Sequence, residues 1–140
     1  MIRLVNSIKV TVVLSTILLF ISCNDNNICK DTVCTLEFRT ILVSVKNQDQ
    51  NPIALDSFKV INIQNNSDMT VSLSNSEFEA AQQSGKYPLV NDSSLNTNEE
   101  RQVQFKGYID NKEVINSTYK VSTDCCHIGL ISGVLNLTLN

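Results

Sequence analysis

Asp124-Cys125-Cys126-His127 is the one cluster in the sequence whose residue types could do chemistry. A thiolate nucleophile needs a base within reach, and zinc needs about four thiolate or imidazole ligands at tetrahedral angles. Cys126 and His127 are adjacent, and neighbours on a strand point to opposite faces, so they do not make a dyad. A metal site would have to combine Cys29, Cys34, Cys125 or Cys126 with His127, and no C-x₂-C spacing frames such a set. His127 is the sole histidine, so no pair of histidines can share a metal or a proton within one chain, and it reads as a surface or edge residue. There is no Gly-rich phosphate loop, no G-x-S-x-G elbow and no tryptophan for a sugar platform, and the scattered carboxylates form no glycosidase-like pair. These absences assign no catalytic residue, no metal and no cofactor, and the chain reads as a non-enzyme.

What becomes of the cysteines depends on where the chain is sent. Arg3 and Lys9 form a short basic head, and residues 10–21 follow as an uncharged run rich in Val, Leu and Ile, the layout of a secretory leader over residues 1–22. Twelve helical residues reach about 18 Å, well short of the roughly 30 Å hydrocarbon core a permanent span must cross. The cut site Leu19-Phe20-Ile21-Ser22-Cys23 resembles a bacterial lipobox, with Phe20 where that pattern prefers Leu. The resemblance implies diacylglyceryl transfer to the Cys23 thiol, cleavage after Ser22 and acylation of the new amino terminus. Two or more acyl chains, at about 0.8 kcal/mol per buried CH₂, would make the membrane a durable partner through Cys23.

Without the leader 118 residues remain, enough for one ordinary domain. They carry nine basic against 14 acidic residues, a net charge of −5 that disfavours nucleic acid as a partner. Seventeen asparagines against three alanines, together with the lipobox, resemble surface lipoproteins of Bacteroidetes-type bacteria. That resemblance implies lipid anchoring at the outer membrane, and the single acid in residues 24–27 leaves its periplasmic and cell-surface faces equally open. Asp31-Thr32-Val33 resembles the O-glycosylation sequon of exported proteins in the same bacteria, which would make Thr32 an acceptor.

An oxidising compartment turns the remaining Cys29, Cys34, Cys125 and Cys126 into disulfide candidates. A bond between the neighbours Cys125 and Cys126 would be strained, so each is expected to pair near the amino terminus. Cys34 with Cys125 or Cys126 would close a loop of about 90 residues and contribute about 4 kcal/mol in the chain-entropy model. A first strand would then be stapled to a last one.

Residues 23–32 are polar and aperiodic and read as a flexible tether; residues 33–140 carry the folded domain. Residues 33–45 alternate as a strand whose phase changes near Arg39-Thr40, which predicts a bulge or a switch between two sheets. Further strands are expected over residues 53–63, 69–73, 87–90, 102–109, 113–121 and 133–139, separated by polar turns. Pro88 confines its strand to an edge or a bulge. Asp110-Asn111-Lys112 predicts a hairpin. Ser74 to Glu77 form a capping box and Gly85 a stop, so one short helix is expected with Phe78, Ala81 and Gln82 inward. About seven short strands predict an all-β fold, an immunoglobulin-like antiparallel β-sandwich with one short helix behind a lipoprotein signal peptide.

Val43-Ser44-Val45 through Asn51-Pro52-Ile53, then Gly85-Lys86-Tyr87 with Asn91-Asp92 and the strand around Phe105, resemble carboxypeptidase regulatory-like or transthyretin-like domains. The resemblance covers residues 33–139 and implies an accessory or adhesive module without catalytic residues. The chain departs from that pattern at Pro88 and in its Cys-Cys-His segment. The expected function is a lipid-anchored, non-catalytic binding or scaffolding module with an envelope protein or glycan partner. Its ligand-facing loops are expected at residues 47–51, 65–69 and 92–100. The rival is a metal-binding or thiol-redox protein centred on Cys125, Cys126 and His127.

Overall fold

The computed structural model describes residues 29–139, so the leader and Cys23 lie outside the described residues. The chain divides into two compact units, Met1–Lys30 and Asp31–Asn140. Of the first, the described part is a turn at Cys29 and Lys30.

The second unit is an all-β sandwich with one helix. Its strands are β1 (Thr40–Asn47), β2 (Ser57–Asn62), β3 (Lys86–Asn91), β4 (Glu100–Ile109), β5 (Lys112–Thr123), β6 (Ile128–Ser132) and β7 (Asn136–Leu139), with α1 (Asn75–Ser84) between β2 and β3. They form a three-stranded sheet, β3-β1-β7, and a four-stranded sheet, β2-β4-β5-β6. A three-plus-four division of seven strands is that of an immunoglobulin-like sandwich, although which strands share a sheet is particular to this chain.

Period-two patterning builds the interior. Phe58 and Val60 of β2, Val103 and Phe105 of β4, and Ile115, Tyr119 and Val121 of β5 face inward from one sheet; Val43, Val45, Tyr87 and Leu89 meet them from the other. Aromatic rings cross the interface: Tyr87 lies 5.7 Å from Phe58 and 6.4 Å from Phe105, centroid to centroid. The Tyr87 hydroxyl is fully satisfied there, accepting from Leu55 N–H at 2.7 Å and donating to the Ile53 carbonyl at 2.8 Å. Burial pushes its pKa up, against a smaller opposing effect of the bond from Leu55.

The helix forms where its caps were legible. Ser74 accepts from Glu77 N–H, Glu77 returns a bond to Ser74 N–H at 2.8 Å, and Gly85 ends the helix in the left-handed conformation at φ 63°. A Cβ on Gly85 would also stand 2.5 Å from the Val45 carbonyl oxygen, so glycine is required there twice over. Phe78 stacks on Phe58 at 6.3 Å, Ala81 is buried, and Gln82 donates to the Leu55 carbonyl at 2.9 Å. The β4–β5 hairpin closes through Asp110 and Asn111 at φ 49° and 59°, as a two-residue primed turn needs.

Four expectations are corrected. Residues 33–39 are not strand: Val33 and Leu36 are fully exposed, and β1 starts at Thr40, where the phase change was read. Residues 69–73 contribute no strand; an isolated bridge joins Asp68, just before them, to Ile61. The final strand, expected over residues 133–139, is shortened to β7, which crosses to pair with β1 in parallel, and β6, which was not expected, stays in the four-stranded sheet. Gly133 makes that crossing at φ 125°, with Tyr119 so close that an added Cβ would lie 2.3 Å from its ring. The Tyr119 hydroxyl donates to the Val134 carbonyl at 2.8 Å, binding the crossing to the core. The fourth concerns β2, which is shorter than residues 53–63 because Ile53 and Leu55 belong to a connection held by Tyr87. Pro88 does fall on an edge strand, beside a register shift between Ile41 and Leu42.

Tyr87→Phe should keep the fold and cost about 1–3 kcal/mol, because it leaves Leu55 N–H and the Ile53 carbonyl unpaired in the core. Urea unfolding checks this; a loss within error would show that water replaces the hydroxyl.

Candidate binding groove and its latch

Two features converge on the small sheet, a latch of polar side chains and an open groove beside it. The latch is built on Asp92, directly after β3. Asp92 Oδ2 accepts from Arg39 N–H at 2.8 Å, and Asp92 N–H returns a bond to the Arg39 carbonyl at 3.1 Å, which extends the β1–β3 ladder by one step. Its Oδ1 accepts from Ile128 N–H at 2.7 Å, where β6 begins. His127 Nδ1 stands 3.0 Å from Asp92 Oδ2, and His127 Nε2 stands 2.9 Å from Thr35 Oγ1. Burial works to raise the Asp92 pKa, but the bonds from Arg39, His127 and Ile128 outweigh it and hold the carboxyl below its usual value. An ionised Asp92 only accepts, so in this contact His127 Nδ1 is the donor.

Asp124 sets the turn that presents His127. Its Oδ1 accepts from Cys126 N–H at 2.7 Å and from His127 N–H at 2.8 Å, and Asp124 N–H donates to the His127 carbonyl at 3.1 Å. The Asp124 carboxyl is held below its usual value by the His127 and Cys126 bonds, against a smaller effect of burial. Beside this turn Cys34 is bonded to Cys126, with Cα atoms 5.3 Å apart and 92 positions between them in sequence. Of the two partners open to Cys34, the structure selects Cys126. The bond joins the segment before β1 to the turn before β6, so it staples a non-strand segment rather than a first strand to a last one. Cys125 is itself oxidised in a disulfide, and so is Cys29.

His127 is accordingly not a surface residue: its side chain is 10% exposed, with both ring nitrogens engaged. Thr35, His127 and Asp92 stand in the order of nucleophile, base and orienting acid. The cavity against Asp92 holds only about 40 Å³ between residues such as Leu95, Thr123 and Cys126, and Thr35 is not in its lining. As a metal centre the cluster is short of donors, because Cys125 and Cys126 are oxidised, and no group of three or more metal-ligating side chains occurs among the described residues. Sequence reasoning missed Asp92 and Thr35 as partners of His127. No local signal marks them, since they lie 35 and 92 positions away.

The latch holds residues 34–39 along the edge of an open groove of about 590 Å³. Its floor is the outward side of the small sheet, where Leu42 of β1 faces Pro88 of β3, and its walls include Phe38, Leu73 and Ala80. That volume lies within the range of small-molecule sites. Phe38 and Leu42 remain 61% and 42% exposed, so a ligand has apolar area left to cover. The expected ligand loops divide between the two ends of the sandwich. Residues 65–69 and 92–100 come together around a polar depression of about 280 Å³, where Arg101 donates to Gln64 at 2.9 Å and pairs with Glu99. Residues 47–51 lie at the opposite end, beyond Asn47, which β1 reaches last. Thr32 is exposed, ahead of the latch.

No family model, curated protein or solved structure matches the chain.

Replacing Cys34 and Cys126 together by Ser should cost about 2–4 kcal/mol in urea unfolding. An unchanged midpoint would mean that the polar contacts hold the segment alone. The pH dependence follows from Asp92 and Asp124, whose folded pKa values lie below the unfolded ones. The unfolded chain then holds more protons in the acid range, so their stabilisation is present above about pH 4 and is lost as pH falls through the folded values. Asp92→Asn should therefore melt at a lower temperature than wild type at pH 7 and show a shallower loss of stability below about pH 4. Parallel acid limbs in the two proteins would remove Asp92 from that account.

Proposed function

We propose that this protein is a lipid-anchored β-sandwich of the bacterial outer membrane that binds a partner or ligand without catalysing a reaction. The observation that carries the reading is the groove: its apolar lining is accessible, and a disulfide and the Asp92–His127–Thr35 contacts hold one edge of it in place. A preformed site of that kind spends little ordering entropy on binding. The leader and the lipobox-like Cys23 supply the anchor in this reading, and no helix among the described residues is long and apolar enough to cross a membrane. Resemblance to regulatory-like or transthyretin-like domains points the same way. The thiol or metal alternative would need Cys125 and Cys126 reduced and His127 released from Asp92 and Thr35. An acyl-transfer role for Thr35 would need a substrate cavity larger than the one beside Asp92.

The test places a photo-reactive benzoylphenylalanine in living cells at Ala80, in the groove, and in a second strain at Lys59, on an exposed face of the other sheet. Adducts at Ala80 and none at Lys59 are expected, together with release of a Cys23→Ser variant from the membrane fraction. Equal labelling at both positions, or none at Ala80, would sink the binding reading. A hydrolytic turnover abolished by Thr35→Ala would sink its non-catalytic part.

A further inference from the structure

The groove's ligand class can be read from its charges. Only two charged side chains line it, Glu77 and Lys86. Glu77 is occupied: its Oε2 accepts from Ser74 N–H at 2.8 Å and from the Ser74 hydroxyl at 2.6 Å as part of the helix cap. Lys86 is different. The ion pairs among the described residues use Arg39, Arg101, Lys106, Lys120 and His127, and none of them uses Lys86. An exposed ammonium without a counter-charge therefore stands at the rim of an apolar trough.

Register places that charge at one end. Ser44 pairs with Lys86, Leu42 with Pro88, and Thr40 with Asn91, so the trough runs from Lys86 across the Leu42–Pro88 pair toward Phe38. The five residue steps from Lys86 to Asn91 span about 17 Å. A cation at one end of an elongated apolar surface complements a molecule with an anionic head and an apolar tail. The stem of a lysine can also lie along apolar surface while its ammonium stays at the rim.

We propose that the groove binds a single-chain amphiphile with one carboxylate, of the long-chain fatty-acid class. Its head pairs with Lys86, and its chain lies over Pro88 and Leu42 with its end against Phe38. This rests on the groove being the binding site proposed above, and names what occupies it. Burial of the chain against Leu42, Pro88 and Phe38 supplies most of the affinity, and Lys86 sets polarity and orientation.

The experiment titrates the purified full chain with dansyl-labelled undecanoic acid and follows dansyl fluorescence. Unlabelled fatty acid and its methyl ester serve as competitors. Saturable binding is expected, with about tenfold weaker competition by the ester and about tenfold weaker probe binding by Lys86→Gln. Leu42→Glu, at an exposed position, should weaken binding by at least as much without changing the melting temperature. Binding indifferent to both the ester and Lys86→Gln would overturn the carboxylate head while leaving the groove as the site. Binding indifferent to Leu42→Glu and to Ala80→Trp would overturn the groove itself, and the proposed function with it. Absence of saturable binding would overturn the fatty-acid class; photo-labelling at Ala80 then reads the groove independently.

Discussion

Asp92 is the constraint on which the small sheet and its surroundings depend. One carboxylate collects a backbone N–H from just before β1, a backbone N–H from the first residue of β6, and an imidazole from the turn between β5 and β6. Those donors come from segments that belong to different sheets, so the carboxylate closes one end of the sandwich across its two layers. A largely buried carboxylate is costly unless its lone pairs are satisfied, and here they are satisfied by groups that would otherwise be orphans at strand ends. The same knot orients His127, which reaches Thr35 and so fixes the segment that runs beside the Cys34–Cys126 bond. Phe38 takes its place in the groove because that segment is held at both ends, by the disulfide and by Arg39 on Asp92.

The interior follows a second rule, in which two tyrosines carry polar tips into places where irregular backbone must be satisfied. Tyr87 bonds the connection ahead of β2, and Tyr119 bonds the crossing between β6 and β7. Each phenol converts an unpaired backbone group into part of the core, which is why both rings can be almost fully buried. The two connections they secure are two of the four at which the chain changes sheets. Their consequence is outside the core: the chain returns through α1 alongside β3, and the outward side chains of β1 and β3 are left only partly covered. The groove is the space that remains between that helix and that sheet face.

Much of the local architecture was legible in the residues. The capping box at Ser74 and Glu77, the stop at Gly85, the Asp110-Asn111 turn and the edge position of Pro88 each depend on contacts within a few positions, and each is where its signal placed it. Alternation in residues 102–121 gave the correct pairing of β4 with β5 for the same reason. Alternation misled at residues 33–38, where Cys34, Leu36 and Phe38 share a period-two pattern yet line no strand. A pattern of that length is equally compatible with an extended segment pinned at intervals, and a disulfide pins this one.

By itself the sequence determined an all-β domain with one capped helix and named Cys29, Cys34, Cys125 and Cys126 as candidates for oxidation, because these are properties of composition and near-neighbour spacing. Only the tertiary structure decided that Cys34 takes Cys126, that β7 joins β1 in parallel, that His127 is held between Asp92 and Thr35, and that Lys86 faces a groove without a counter-charge. Each of these is a meeting of residues dozens of positions apart. Periodicity says which side of a strand a residue occupies, but the identity of its neighbour is set by which strands pair and in what register, and that is resolved only when the two sheets close on one core.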